Sequence, residues 1–392
     1  MNKRLSITIL SLSLLTVMVG ATVAPVLGVI KEVFKGVDPL YIKLILTLPA
    51  IILIPFSIMS GKLAQFYSKK KIIIIGLSLY IIGGIGGGFT QSIVQLLAFR
   101  AVLGMGIGLI LPLSTGLIAD YYNGNQRTKM MGYSTAVNNL GGIIATLLSG
   151  VLAAISWRYA FAVYLTAGIV FVLVVFFLKE LPMVKKERYE KRTINSAVWK
   201  IAFGTFIVSV IFYAVPTNLS LFLAEFSLGQ SGTSSIFISL LTFSSFIVGM
   251  LFFKITKLLK NLKVVISLII MLIGFVILSF TVNIIFIGFA IVCVGIGSGL
   301  LLPTFMLQAT MVVPKNEATF ALAIVSSSMF LGQFSSPILS ALVQNLLNST
   351  STRVAFYTSS LLSIISIVVM VIRNSKKSSA IEKIQRNSSD VC

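Results

Sequence analysis

The 392-residue chain is 57% hydrophobic and 10% charged, with a mean hydropathy of +1.03, which excludes a soluble globular protein, where about a quarter of residues carry charge. A net charge of +21 would suit nucleic acid, but the basic residues lie between apolar runs and form no patch or aromatic-interleaved groove, which excludes that partner. Histidine is absent, and Cys293 and Cys392 have no partner at metal-ligand or disulfide-framework spacing, so no metal or other cofactor is expected.

Twelve apolar segments follow in order, at about residues 6–30, 40–60, 72–90, 93–118, 130–154, 158–178, 198–223, 233–253, 264–282, 284–312, 318–345 and 354–372. Each is near or above the roughly 20 residues with which a helix crosses the hydrocarbon core while pairing its own backbone. Barrel strands would be about 10 residues of alternating polarity. Asn2-Lys3-Arg4 opens like a signal peptide, but the following run continues to about Ile30, beyond the roughly 7 to 15 residues of a cleaved apolar core. It is read as a retained first span.

If the N-terminus is cytoplasmic, 25 of the 31 basic residues fall on the cytoplasmic side and five on the other: Lys31, Lys35, Lys43, Arg158 and Arg353. That bias predicts both termini on the cytoplasmic side of the cell membrane. The charged stretch 179–200 then divides the chain, giving a first bundle over 1–178, a cytoplasmic loop over 179–200, a second bundle over 201–372 and a polar cytoplasmic tail over 373–392.

The two bundles repeat one another. Gly104, Gly106, Gly108, Leu109, Leu111 and Pro112 recur as Gly295, Gly297, Gly299, Leu300, Leu302 and Pro303, all at an offset of 191 residues. Pro25 pairs with Pro216, and Leu140-Gly141 with Leu331-Gly332, at the same offset. Duplication accounts for so many coincidences. Arg100 breaks the pattern, because Ile291 stands opposite it. The spaced glycines lack the strand and solvated helix start of a nucleotide site and predict close helix packing instead.

Specific stretches carry a family resemblance. The link between spans two and three, Gly61-Lys62-Leu63-Ala64-Gln65-Phe66-Tyr67-Ser68-Lys69-Lys70-Lys71, occupies the place of the loop motif Gly-x-Leu-Ala-Asp-Arg-x-Gly-Arg-Lys of the major facilitator superfamily. Gly61, Leu63 and the basic run match; Gln65, Phe66 and Ser68 replace the Asp, Arg and second Gly. Arg100 with Gly104 and Gly108 resembles the family's span-four motif. Ala145-Thr146 and Ser149-Gly150 stand for the Gly-Pro and Gly-Gly of its span-five antiporter motif, and Ser156-Trp157-Arg158 with Phe161 match the turn that follows. The chain resembles, more narrowly, the twelve-span bacterial multidrug and small-molecule exporters of that superfamily.

The resemblance implies an all-α integral membrane protein of twelve helices in two pseudo-symmetric six-helix bundles. It also implies a transporter rather than an enzyme, a monomer in the lipid bilayer exporting a small-molecule substrate by alternating access, with protons as the coupling ion. For Arg100 it implies proton transfer or substrate orientation.

An arginine at membrane depth costs about 2.5 to 3.5 kcal/mol on insertion scales and avoids lipid, so Arg100 either faces a cavity or is structural, tied to backbone carbonyls or snorkelling outward. Asn138, Asn139, Tyr213, Asn218 and Gln333 are polar groups at membrane depth, expected either to line the same substrate cavity or to bond to other helices. No carboxylate is central in any span, which leaves Glu32 and Glu225, near the outer ends of spans one and seven, as the candidates for proton coupling, the alternative being that each is solvated there. Gly61, Lys69, Lys70, Asp120 and Arg127 form the expected gating set, with Asp120 set beside Arg127. An anionic or lipid-linked metabolite anchored by Arg100 is the alternative cargo. An enzyme or sensor is disfavoured, since no catalytic cluster or signalling segment is evident in the sequence.

Overall fold

Each apolar run becomes one helical span, in places built from more than one helical piece, because only helical backbone pairs its own N–H and C=O groups where water is excluded. The computed structural model describes residues 3–180, 196–229, 231–259, 262–314 and 317–389. Most of the expected central loop, 181–195, lies outside the described residues. Among the described residues, twelve helices are long and apolar enough to cross a membrane: spans 1 to 6 are Lys3–Val33, Pro39–Leu63, Lys69–Phe89, Ile93–Tyr121, Lys129–Ile155 and Trp157–Phe177. Spans 7 to 12 are Ser196–Glu225, Ser231–Met250, Lys263–Phe280, Ile284–Met311, Phe320–Leu346 and Arg353–Ile372. We call the face where span 1 starts the basic face and the other the opposite face.

The two Pro residues of the repeat behave differently. Pro25 interrupts span 1, where helix Lys3–Ala21 gives way to a 3₁₀ turn, Ala24–Val26, and a short helix, Leu27–Val33. Pro216 sits inside an unbroken helix, Ser196–Glu225. Span 6 opens as a 3₁₀ helix, Trp157–Leu165, in which side chains three apart share a face. Phe161 and Tyr164 therefore point the same way, into the glycine-rich end of span 3: a Cβ on Gly87 would lie 2.5 Å from the Phe161 ring, and one on Gly84 2.6 Å from that of Tyr164.

The repeat is visible in the packing. A Cβ on Gly104 would lie 2.9 Å from the Pro49 carbonyl oxygen of span 2, and one on Gly108 2.8 Å from that of Leu53. In the second bundle, a Cβ on Gly295 or Gly299 would meet the carbonyl oxygens of Leu241 and Ser245 in span 8, each at 2.7 Å. The middle glycine turns to the next helix: a Cβ on Gly106 would lie 2.5 Å from the Tyr80 nitrogen in span 3, and one on Gly297 2.7 Å from the Ser267 oxygen in span 9. Spans 4 and 10 thus hold equivalent neighbours through equivalent glycines, the close backbone approach that small residues permit in membranes. Gly106→Ala is expected to destabilise the protein by about 1 to 3 kcal/mol, since backbone and not a flexible side chain must yield. Gly116→Ala, whose nearest neighbour is a Lys69 side-chain atom at 3.9 Å, should change the thermal midpoint little; equal midpoints for the two variants would refute this packing account.

Candidate functional site

Arg100 is fully buried inside the first bundle, and its partners explain why. Pro49 has no N–H to give the carbonyl four residues back, that of Ile45; Arg100 Nε donates to it at 2.7 Å. Val23 donates to Gly20 rather than to Val19, because the helix is breaking there, and Arg100 Nη2 donates to the Val19 carbonyl. Nη1 donates to the Tyr164 hydroxyl at 2.7 Å, and the guanidinium carbon lies 5.8 Å from that ring's centroid. Arg100 therefore ties spans 1, 2, 4 and 6 together through acceptors that proline and a helix break have exposed. Of the two sequence readings, this is the arginine tied to backbone carbonyls.

The bundles meet along a seam at the opposite face. Ser220 of span 7 accepts from the Gly28 N–H at 2.9 Å and donates to the Pro25 carbonyl at 2.9 Å. Ser231 of span 8 donates to the Gly150 carbonyl of span 5 at 3.2 Å. Lys43 of span 2 donates to Gln344 Oε1 of span 11 at 3.5 Å. These four hydrogen bonds cross between the bundles, and small residues let the helices close on one another: a Cβ on Gly28 would lie 2.6 Å from the Ser220 oxygen, and one on Gly150 2.2 Å from Ser235 Oγ. Above the seam is a pocket of about 250 Å³ lined by Gly28, Glu32, Trp157, Ser220 and Ser231.

The two expected coupling acids differ. Glu32 is exposed at that pocket. Glu225 accepts from Ser351 Oγ at 2.7 Å, from the Thr352 N–H at 2.8 Å and from Thr352 Oγ1 at 2.6 Å. Its carboxylate thus caps the start of span 12, which helix geometry favours for an anion. The charge bias predicts Lys43 as a topology cation on the opposite side; it is 1% exposed within span 2, and no sequence signal distinguishes it from its neighbours.

The polar residues at depth are dispersed. Asn138 and Asn218 each keep a buried carbonyl oxygen without a protein donor. The Asn218 amide donates to Ala214 O at 3.0 Å and Thr217 Oγ1 at 2.9 Å, and the Asn139 amide to Thr135 O at 3.0 Å. Tyr213 stands edge-on to Phe212, with centroids 5.2 Å apart, and Gln333 is buried. Among the described residues, no hydrogen bond joins these five to each other or to Arg100. At the basic face Asp120 pairs with Lys69, not with Arg127, which is exposed. Lys70 donates to the Val175 carbonyl at 2.8 Å, and Gly61 is in open space. A groove of about 840 Å³ runs between spans 7, 9, 10 and 12, walled by Trp199, Phe203, Gly204, Phe305, Leu362 and Met370.

Comparison with known proteins agrees with this architecture. Multidrug resistance protein 3 of Bacillus subtilis (strain 168) is 32% identical over 155 residues, which are 38% of this chain and 28% of that protein. Quinolone resistance protein NorA of Staphylococcus aureus (strain MSSA476) is 28% identical over 235 residues, 57% of this chain and 60% of that one. The chain thus spans less than two thirds of the length of either relative. The fold is that of the nucleoside transporter NupG, with a TM-score of 0.76 at 13% identity over 94% of this chain and 99% of that one. It is also that of a bacterial homologue of the human lysosomal transporter Spinster in an inward-facing, occupied conformation, with a TM-score of 0.74 at 16% identity over 95% and 96%. The family model of the Major Facilitator Superfamily matches residues 9–337 and 264–389, and the chain belongs to that superfamily.

Proposed function

We propose that this chain is a secondary transporter that exports amphiphilic small molecules by alternating access, with protons as the coupling ion and the basic face in the cytoplasm. The observation that carries this reading is the seam. Two bundles touch at one face through glycines and single hydroxyls, a contact that rigid bodies can make and break, while Arg100 and the spaced glycines keep the first bundle whole. Each bundle, 1–178 and 201–372, then moves as a unit within a monomer. The excess of basic residues on one face supports the orientation. The names of the relatives in Bacillus and Staphylococcus support drug-like cargo. Arg100 is fully buried with each of its three nitrogens bonded to protein, so an anionic cargo anchored there draws no support from the geometry.

The test is proton release from acid-loaded everted vesicles, followed with a pH dye while cationic, neutral and anionic amphiphiles are added. Release that depends on an amphiphile and on the protein is expected; silence across the panel from folded protein would overturn the reading. The apolar groove is of the size that holds drug-like molecules, and we assign it to the path of the cargo. A Cβ on Gly204 would rest 3.5 Å from the Phe305 ring, so Gly204→Leu fills the groove without moving backbone. It is expected to raise KM for bulky amphiphiles about tenfold, roughly 1.4 kcal/mol. An unchanged KM would remove the groove from that path.

A further inference from the structure

Among the described residues, Lys43 is the one buried lysine, and it lies at the seam. It lies one turn into span 2, pressed against span 11, with the 3.5 Å bond to Gln344 as its contact across the bundles. The charged groups whose fields reach it are Lys31 at the end of span 1, Asp38 at the start of its own helix and Glu225 at the end of span 7. Neither carboxylate is within ion-pair distance of it. Asp38 accepts from the Leu40 N–H at 2.8 Å, and Glu225 is held by Ser351 and Thr352. The acids nearby are therefore committed to helix starts, and the third charged group, Lys31, repels. An ammonium has three donors, and burying a charge without an ion partner is costly.

Separation of spans 2 and 11 would return Lys43 to water. The closed and open forms of this face must then differ in their preference for the charged amine, and a proton that distinguishes two conformations shifts the balance between them. We propose that Lys43 is the residue through which protons set the position of the opposite-face gate: with the proton on Nζ the gate opens, and with Nζ neutral it closes on Gln344. The proposal rests on the alternating-access reading above. It gives the protein a proton-linked group at the gate, where the sequence had offered Glu32 and Glu225.

The experiment reads gate position without transport. In purified protein carrying Cys293→Ser and Cys392→Ser, spin labels at Tyr41→Cys and Leu346→Cys report the distance between spans 2 and 11 from about pH 5 to about pH 10. Acid should favour the long distance, with the open-to-closed ratio changing by up to about tenfold per pH unit, as one linked proton requires. Lys43→Met should hold the short distance at every pH. Lys43→Arg, which keeps its charge, should hold the long one. A wild-type gate that ignores pH, or a Lys43→Met gate that keeps the wild-type pH response, would overturn the proposal. Gly28→Val separates that failure from failure of the parent reading: if this variant takes the long distance at all pH values, the gate exists and only the assignment of Lys43 falls.

Discussion

Arg100→Met is expected to loosen the first bundle before it alters what the protein carries. The substitution keeps a long unbranched side chain but removes the donors to Ile45 O, Val19 O and the Tyr164 hydroxyl. An unsatisfied buried carbonyl costs about 1 to 3 kcal/mol. The Tyr164 hydroxyl already lies 3.1 Å from Val19 O and can cover that loss, but nothing replaces the donor to Ile45. The expected cost is about 3 kcal/mol, toward the lower end for breaking one side of a buried charged network, read as a fall in thermal midpoint of the detergent-solubilised protein. The second bundle explains why one arginine suffices. Gly295 meets the Leu241 carbonyl as Gly104 meets that of Pro49, so Leu241 holds Pro49's place and keeps the N–H that proline lacks. Ile291 can therefore stand where Arg100 stands. Pro49→Leu should restore a donor to Ile45 and make Arg100→Met cheaper, with a coupling of about 1 kcal/mol or more in a double-mutant cycle. Normal stability of Arg100→Met, with loss of anionic substrates alone, would instead return Arg100 to the cavity.

The spans and the glycine contacts were legible in the sequence because their signals are local. An apolar run of fixed length dictates a helix, and Gly-x-Gly-x-Gly repeated at one offset dictates equivalent neighbours in both bundles. Arg100 was legible as unusual but not as to its role, since its partners are backbone carbonyls on spans 1 and 2, and a carbonyl carries no residue identity. The clue was Pro49, whose missing N–H orphans Ile45 O; only the fold shows that the two lie together. Lys43 reads in the sequence as one more cation of the opposite side, because a soft helix boundary moves a charge between water and protein. Ser220 and Ser231 could not be told from hydroxyls such as Thr146, which donates to Gly142 in its own helix at 2.8 Å. Glu225 looked available because sequence does not show that it caps span 12 from the end of span 7.

Gly28→Val should fold and fail to close. The closed seam leaves no room for a side chain at this position, where even a Cβ would lie 2.6 Å from Ser220 O and 2.9 Å from Ser220 Oγ. Overpacking of this kind costs about 1 to 3 kcal/mol, and the cost falls on the closed form alone, because separation of spans 1 and 7 relieves it. The closed-to-open ratio should therefore drop about 5- to 150-fold. Ser231 is 2% exposed behind the same seam, so a thiol introduced by Ser231→Cys should be protected from a membrane-impermeant reagent while Gly28 is kept. It should react at least about tenfold faster once Gly28→Val is added, while transport slows because the cycle cannot pass through the closed form. Ser220→Ala tests the bonds without the clash: it leaves Pro25 O and the Gly28 N–H unpaired and should loosen the seam by about 1 kcal/mol. Gly168→Val, which meets nothing within 4 Å, should leave both labelling and transport as they were. Protection of the thiol in all three variants would mean that the seam is a fixed joint rather than a gate, and the bundles would then need another place to part.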